Sequence, residues 1–125
     1  MAVLVMAAAL SGCSVAGPAR SPTPGAGRSA EDAWILGPAG FAELDVEMAK
    51  DAAIEYVLDG SAPVAWDLHS HEPEGGAVEH AQGSGTHASG RFVAPRADVY
   101  SLAARAGDDG ANVSVRIHGE FEVLR

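Results

Sequence analysis

Residues 52–71 read AAIEYVLDGSAPVAWDLHSH. Ile54, Tyr56 and Leu58 alternate with smaller or polar neighbours, and beyond Asp59, Gly60 and Pro63 the alternation resumes in Val64, Trp66 and Leu68. A period of two sends successive side chains to opposite faces of a strand. Each triplet therefore lines a buried face, while Ala65, Asp67, His69 and His71 point the other way. The Asp-Gly pair between the triplets reads as a hairpin turn joining two strands.

The same pattern continues outward. Upstream stand Phe41, Leu44, Val46 and Met48, followed by a turn at Lys50 and Asp51. Downstream, residues 91–94 form a strand with Phe92 and Ala94 on one face, residues 95–98 a turn, and residues 99–104 a returning strand. Gly107, Asp108, Asp109 and Gly110 make a tight turn before a long final strand lined by Val113, Val115, Ile117, Phe121 and Val123, with Gly119 as a bulge. Residues 72–90, rich in Gly, Glu and His, read as the least ordered part, holding one short strand at 77–82. Six to eight short strands with one apolar face each predict an all-β, antiparallel β-sandwich, because a sheet with one apolar face needs a second layer to cover it.

The chain has 125 residues, enough for one domain once a leader and a linker are set aside. Hydrophobic residues make up 47% of it, but many are alanines, so the core rests on a few large side chains such as Tyr56, Trp66, Phe92, Tyr100 and Phe121. Eight basic against seventeen acidic residues give a net charge of -9. That balance excludes nucleic acid as a partner, since phosphate neutralisation needs clustered Lys and Arg. It also excludes adhesion to an anionic bilayer through a basic patch.

Residues 1–10, MAVLVMAAAL, are apolar and uncharged. They are too short to cross a hydrocarbon core of ~30 Å and fit the apolar region of a signal peptide. Leu10, Ser11, Gly12 and Cys13 follow, and they resemble the lipobox of bacterial lipoprotein precursors. The resemblance implies cleavage before Cys13 and lipidation of that residue with acyl chains such as palmitate, two or more of which anchor a protein stably to a membrane. No Lys or Arg precedes the apolar run, and the expectation is a start codon upstream of Met1. With the only cysteine given to lipid, no disulfide remains. The organisation expected is a signal peptide over residues 1–12, a lipidated cysteine and a Pro/Gly/Ser/Ala-rich tether over 13–40, and a β-sandwich over 41–125. Within the tether, residues 30–36 read as a brief helical turn, with Trp34 and Ile35 docked on the domain. The protein is expected at the cell envelope, lipid-anchored on the periplasmic or extracellular face. Ser14 rather than Asp follows Cys13, which by the same resemblance favours an outer membrane in a host that has two.

Three stretches carry a second resemblance: residues 52–71, SGRFVAPRADVYSL over 89–102, and NVSVRIHGEF over 112–121. Together they are similar to GOLD-like β-sandwich domains and to small exported or membrane-anchored bacterial proteins of unknown function. Trp66, Asp67, His69, Gly90, Phe92, Ala94, Pro95, Tyr100, Val113, Val115 and Ile117 carry it, while Asp98 stands where a glycine is usual. The resemblance implies a domain for protein or lipid interaction.

Among residues able to carry chemistry, His69 and His71 share a strand face, close enough to chelate one metal ion. His118, His80 and His87 are the candidates to complete such a site, with Glu72, Glu74 and Glu79 as oxygen donors. Imidazoles suit Zn, Cu or Ni. The other reading places these histidines in a solvated loop, where they add only polarity. Asp67 has two readings as well: it orients His69, or it pairs with Arg116. No nucleophile elbow or phosphate-binding loop is present, and Asp67, His69 and Ser70 are too close along one strand to form a triad. The function read from the sequence is thus a non-catalytic, lipid-anchored envelope protein with a β-sandwich interaction module, an envelope protein as its partner and no cofactor. The alternative is a histidine-based metal-binding lipoprotein holding Cu or Zn at His69 and His71.

Overall fold

The computed structural model describes residues 27–124. The predicted signal peptide and Cys13 lie outside the described residues. Seven strands form one antiparallel sheet: β1 (Arg28–Leu36), β2 (Phe41–Met48), β3 (Ala53–His71), β4 (Ala77–Val93), β5 (Asp98–Ala106), β6 (Ala111–Gly119) and β7 (Glu122–Val123). Among the described residues no helix is long and apolar enough to cross a membrane.

The sheet closes over itself because β3 and β4 serve both of its halves. The first part of β3, up to Gly60, pairs with β6, which in turn pairs with β1. The part from Val64 pairs with β5, followed outward by β2 and β7. β4 runs beside β3 through both parts, and between them the register jumps from Asp59 opposite His87 to Val64 opposite Gly85. Residues 60–63 are therefore a bend within one strand and not the hairpin turn expected from Asp59-Gly60. Ser61 on this bend accepts the Asn112 amide at 2.9 Å, tying the corner to β6.

Alternation fills the interior as predicted. Ile54, Tyr56 and Leu58 from the first half meet Leu44, Val46, Met48, Leu68, Tyr100 and Leu102 from the second, with Val113, Val115 and Ile117 closing the core. Burial of this apolar area is the main force holding the halves together.

Four further expectations are corrected. The stretch assigned to the tether contains β1, so the folded part begins by Arg28 and not at residue 41. Residues 30–36 are strand and not helix: Trp34 and Leu36 alternate inward, Trp34 Nε1 donates to Asp32 Oδ2 at 3.1 Å, and Ile35 points to solvent at 89% exposure. Residues 83–90, read as loop between strands at 77–82 and 91–94, are strand as well, so that residues 77–93 form one 17-residue strand. The true connection to β4 is a short turn at residues 72–76, where the Gly75 amide bonds the Glu72 carbonyl at 3.0 Å. Finally, the long last strand is two: Gly119 turns the chain at φ +145°, and β7 crosses to pair with β2.

Candidate metal centre

Register lays out the outer face of the second half. One cross-strand row runs Gln82, Asp67, Ala103 and Glu43, and the next runs Glu79, His69, Ser101 and Asp45. Ser101 and Ala103 form a small, buried floor, and Ser101 Oγ donates to Asp45 Oδ1 at 2.7 Å. Carboxylates stand on both sides of that floor.

At one side Asp67, His69 and Glu79 converge. Each offers a ligand atom, and the three atoms lie within 4.8 Å of one another. His69 is 8% exposed, Asp67 is half-buried and Glu79 is exposed, so the group is rooted in the sheet and opens to solvent. His69 Nδ1 lies 3.1 Å from Asp67 Oδ1, a contact that fixes the plane of the imidazole. The Glu79 carboxyl is pushed above its ordinary range, first by its hydrogen bond to the Asp67 side chain, then by burial and the Asp67 charge, against a lowering from His69. Two carboxylates this close repel one another, and a cation between them relieves that repulsion.

Glu79 reaches this position because of a β-bulge. Pairing runs Leu68 opposite Ala81, then His69 opposite Glu79, leaving His80 as the extra residue. In an unbroken register His80 would stand beside His69. Instead it turns inward, where its Nε2 lies 2.9 Å from Ser70 Oγ and its ring packs against Phe92 and Tyr100 at 5.0 and 5.4 Å. Burial, with the Arg96 charge, lowers the His80 pKa, which favours the neutral imidazole.

The remaining histidines are dispersed, which corrects the expectation of one site built from His69, His71, His118, His80 and His87. The His71 ring lies edge-on to His69 at 4.9 Å but is exposed and outside the convergent set. His87 pairs with Asp59 at 2.7 Å on the outer surface beside the bend. His118 sits on the other half, 2.9 Å from Ser29 Oγ. Glu72 forms an ion pair with Arg96 at 3.4 Å and does not join the cluster. Asp67 is the partner of His69 and not of Arg116, which lies opposite Glu31 and Val57. Ser70 faces the interior, across the sheet from His69, so these two side chains do not meet.

A groove of about 290 Å³ adjoins the cluster through Asp67 and is walled by Gln82, Phe41 and Arg105, whose guanidinium lies 5.0 Å from the Phe41 ring centre. Comparison with known protein families and with curated proteins finds no match. Among solved structures, the crystal structure of a Yersinia pseudotuberculosis-derived mitogen matches with a TM-score of 0.54 at 11% identity, over 74% of this chain and 86% of that one. At that identity the likeness concerns the fold alone.

Proposed function

We propose that this chain is a non-catalytic, lipid-anchored protein of the cell envelope whose β-sandwich holds a divalent transition metal ion at Asp67, His69 and Glu79. The observation that carries the metal reading is the convergence of one imidazole and two carboxylates within 4.8 Å around a buried His69. The anchor rests on the apolar leader and on Cys13 at its end. A mixed N/O donor set suits Zn²⁺ or Mn²⁺ and disfavours Cu(I), which prefers sulfur. Three protein donors leave a coordination position open. With Glu79 at the solvent boundary, that position is where a donor atom from an envelope partner binds, which makes the metal the link between module and partner.

The test is calorimetric titration of the chain from residue 14 onward, which contains every described strand, with Zn²⁺ and Mn²⁺. Binding with Kd on the order of 10 µM or tighter is expected. His69→Ala abolishes it, and His71→Ala and His118→Ala leave it intact. Binding no tighter than about 1 mM overturns the metal reading. Membrane attachment is tested separately: Cys13→Ser releases the protein from the membrane fraction, and mass spectrometry of the wild-type protein finds acyl mass on Cys13.

A further inference from the structure

β4 is hydrogen-bonded on one side only. Over its 17 residues it pairs with β3 and with no other described strand. Such an edge presents a row of unpaired amides and carbonyls, and proteins usually blunt it with Lys or Pro. The β4 sequence, AVEHAQGSGTHASGRFV, has neither, and only its bulge at His80 interrupts the edge. The core is also open along this edge. Glycines here make room for aromatic rings from β3: a Cβ on Gly83 would stand 2.8 Å from Trp66 Nε1, and one on Gly90 would stand 2.5 Å from the Tyr56 hydroxyl. Trp66, Val78 and Phe92 stay half-buried, and Val93 is 44% exposed.

We propose that β4 pairs antiparallel with β4 of a second copy of this chain, about a two-fold axis normal to the sheet between Gly85 and Thr86. The order of faces along β4 selects this partner. Ser84, Gln82 and Glu79 lie on the outer face, as do His87, Ser89 and Arg91. Gly83, Ala81 and Val78 lie on the inner face, as do Ala88, Gly90 and Phe92. The two-fold sets Ser84 against His87 of the second copy, Gly83 against Ala88, Gln82 against Ser89 and Ala81 against Gly90. Past the bulged His80 it sets Glu79 against Arg91, Val78 against Phe92 and Ala77 against Val93. Every pair matches in face, small residues meet at the centre, and apolar pairs close both ends. The only two charged residues of β4 other than histidine, Glu79 and Arg91, fall opposite each other twice. Arg91 forms no salt bridge among the described residues, so its charge is free for this contact. A two-fold normal to the sheet also bends both copies to the same side at the corner, so each half of one sandwich continues into the opposite half of the other.

The pairing does not rest on the metal reading, and the test is made in EDTA so that it reads the pairing alone. Sedimentation of the chain from residue 14 onward, which has no cysteine, is expected to show a dimer that dissociates on dilution. Arg91→Glu places like charges opposite each other at both ends and shifts the population to monomer. Combining it with Glu79→Arg reverses both charges and restores the dimer, which separates lost pairing from lost folding. Register is read with Gln82→Cys and Ser89→Cys together. These positions are seven residues apart on one strand, too far to join within a chain at ~3.3 Å per residue, and mild oxidation gives a covalent dimer that neither single variant gives. A monomer at all concentrations up to about 1 mM, a double charge exchange that fails to restore association in a folded protein, or a dimer that the cysteine pair does not trap overturns the proposal.

Discussion

Replacing Gly119 by alanine tests whether the end of β6 is packed against backbone as tightly as the fold requires. Gly119 adopts φ +145°, which L side chains rarely adopt, and a Cβ there would press on the Ala53 carbonyl oxygen and stand 2.8 Å from Ile54 Cα. Neither neighbour can yield cheaply. The Ala53 carbonyl accepts the Glu120 amide at 3.0 Å, and the Ala53 amide donates to Glu120 Oε1 at 2.9 Å, so the two segments are locked together. The conformational term is about 1–3 kcal/mol and the overpacking term about 1–3 kcal/mol. Their sum, about 2–6 kcal/mol, is a large share of the ~5–15 kcal/mol that holds a domain folded. Gly107→Ala is the internal control: nothing lies within 4 Å of its Cβ position and its φ is outside the strained region, so alanine there stabilises by about 0.4–1 kcal/mol. Urea unfolding followed by Trp fluorescence reads both. The midpoint should fall sharply for Gly119→Ala and rise slightly for Gly107→Ala. A Gly119→Ala midpoint indistinguishable from wild type would refute the packing argument.

Leu68, at 0% exposure, lies at the centre of the core, and Leu68→Ala should cost about 2–5 kcal/mol by thermal unfolding. The Tyr100 hydroxyl donates to the Arg96 carbonyl at 2.7 Å, so Tyr100→Phe should cost about 0.5–1.5 kcal/mol. Burial raises the pKa of Tyr56 and Tyr100 above the ordinary 10.0. The folded state thus favours the neutral phenols: their contribution is fully present below about pH 10 and is lost as pH rises through the folded-state values. The urea midpoint should be level from pH 8 to near 10 and fall beyond it, and a midpoint unchanged at pH 11 would contradict this. Saturating Zn²⁺ should raise the melting temperature of the wild type and leave that of Asp67→Asn unmoved.

The strands with large inward side chains were legible in the sequence. Leu44, Val46 and Met48, the two triplets of β3, and Val113, Val115 and Ile117 all alternate inward as the spacing predicts. The two ends of β4 were legible but its middle, residues 83–90, was not, because inward positions there are filled from the neighbouring β3: Gly83 and Gly90 accept the rings of Trp66 and Tyr56, and the periodicity survives only as missing side chains. The bend at residues 60–63 carries the same Asp-Gly and Pro signals as a hairpin, and only pairing with β4 on both sides of it tells them apart. β1 was hidden by short side chains around Trp34 and Leu36. At the site, His69 and its face followed from alternation, but the bulge did not. One extra residue exchanges His80 for Glu79 beside His69, and nothing in the local sequence marks where that residue is inserted.

The pairing of β1 with β6 joins Arg28 to Gly119, and that of β2 with β7 joins Val46 to Val123. β1, the first of the described strands, therefore has no strand partner until β6 has been synthesised, and the described strands cannot pair in chain order. Contacts so distant in sequence make folding slow compared with locally paired topologies. A chain stalled or clipped before β6 would leave β1 unpaired and half of the interior open to water.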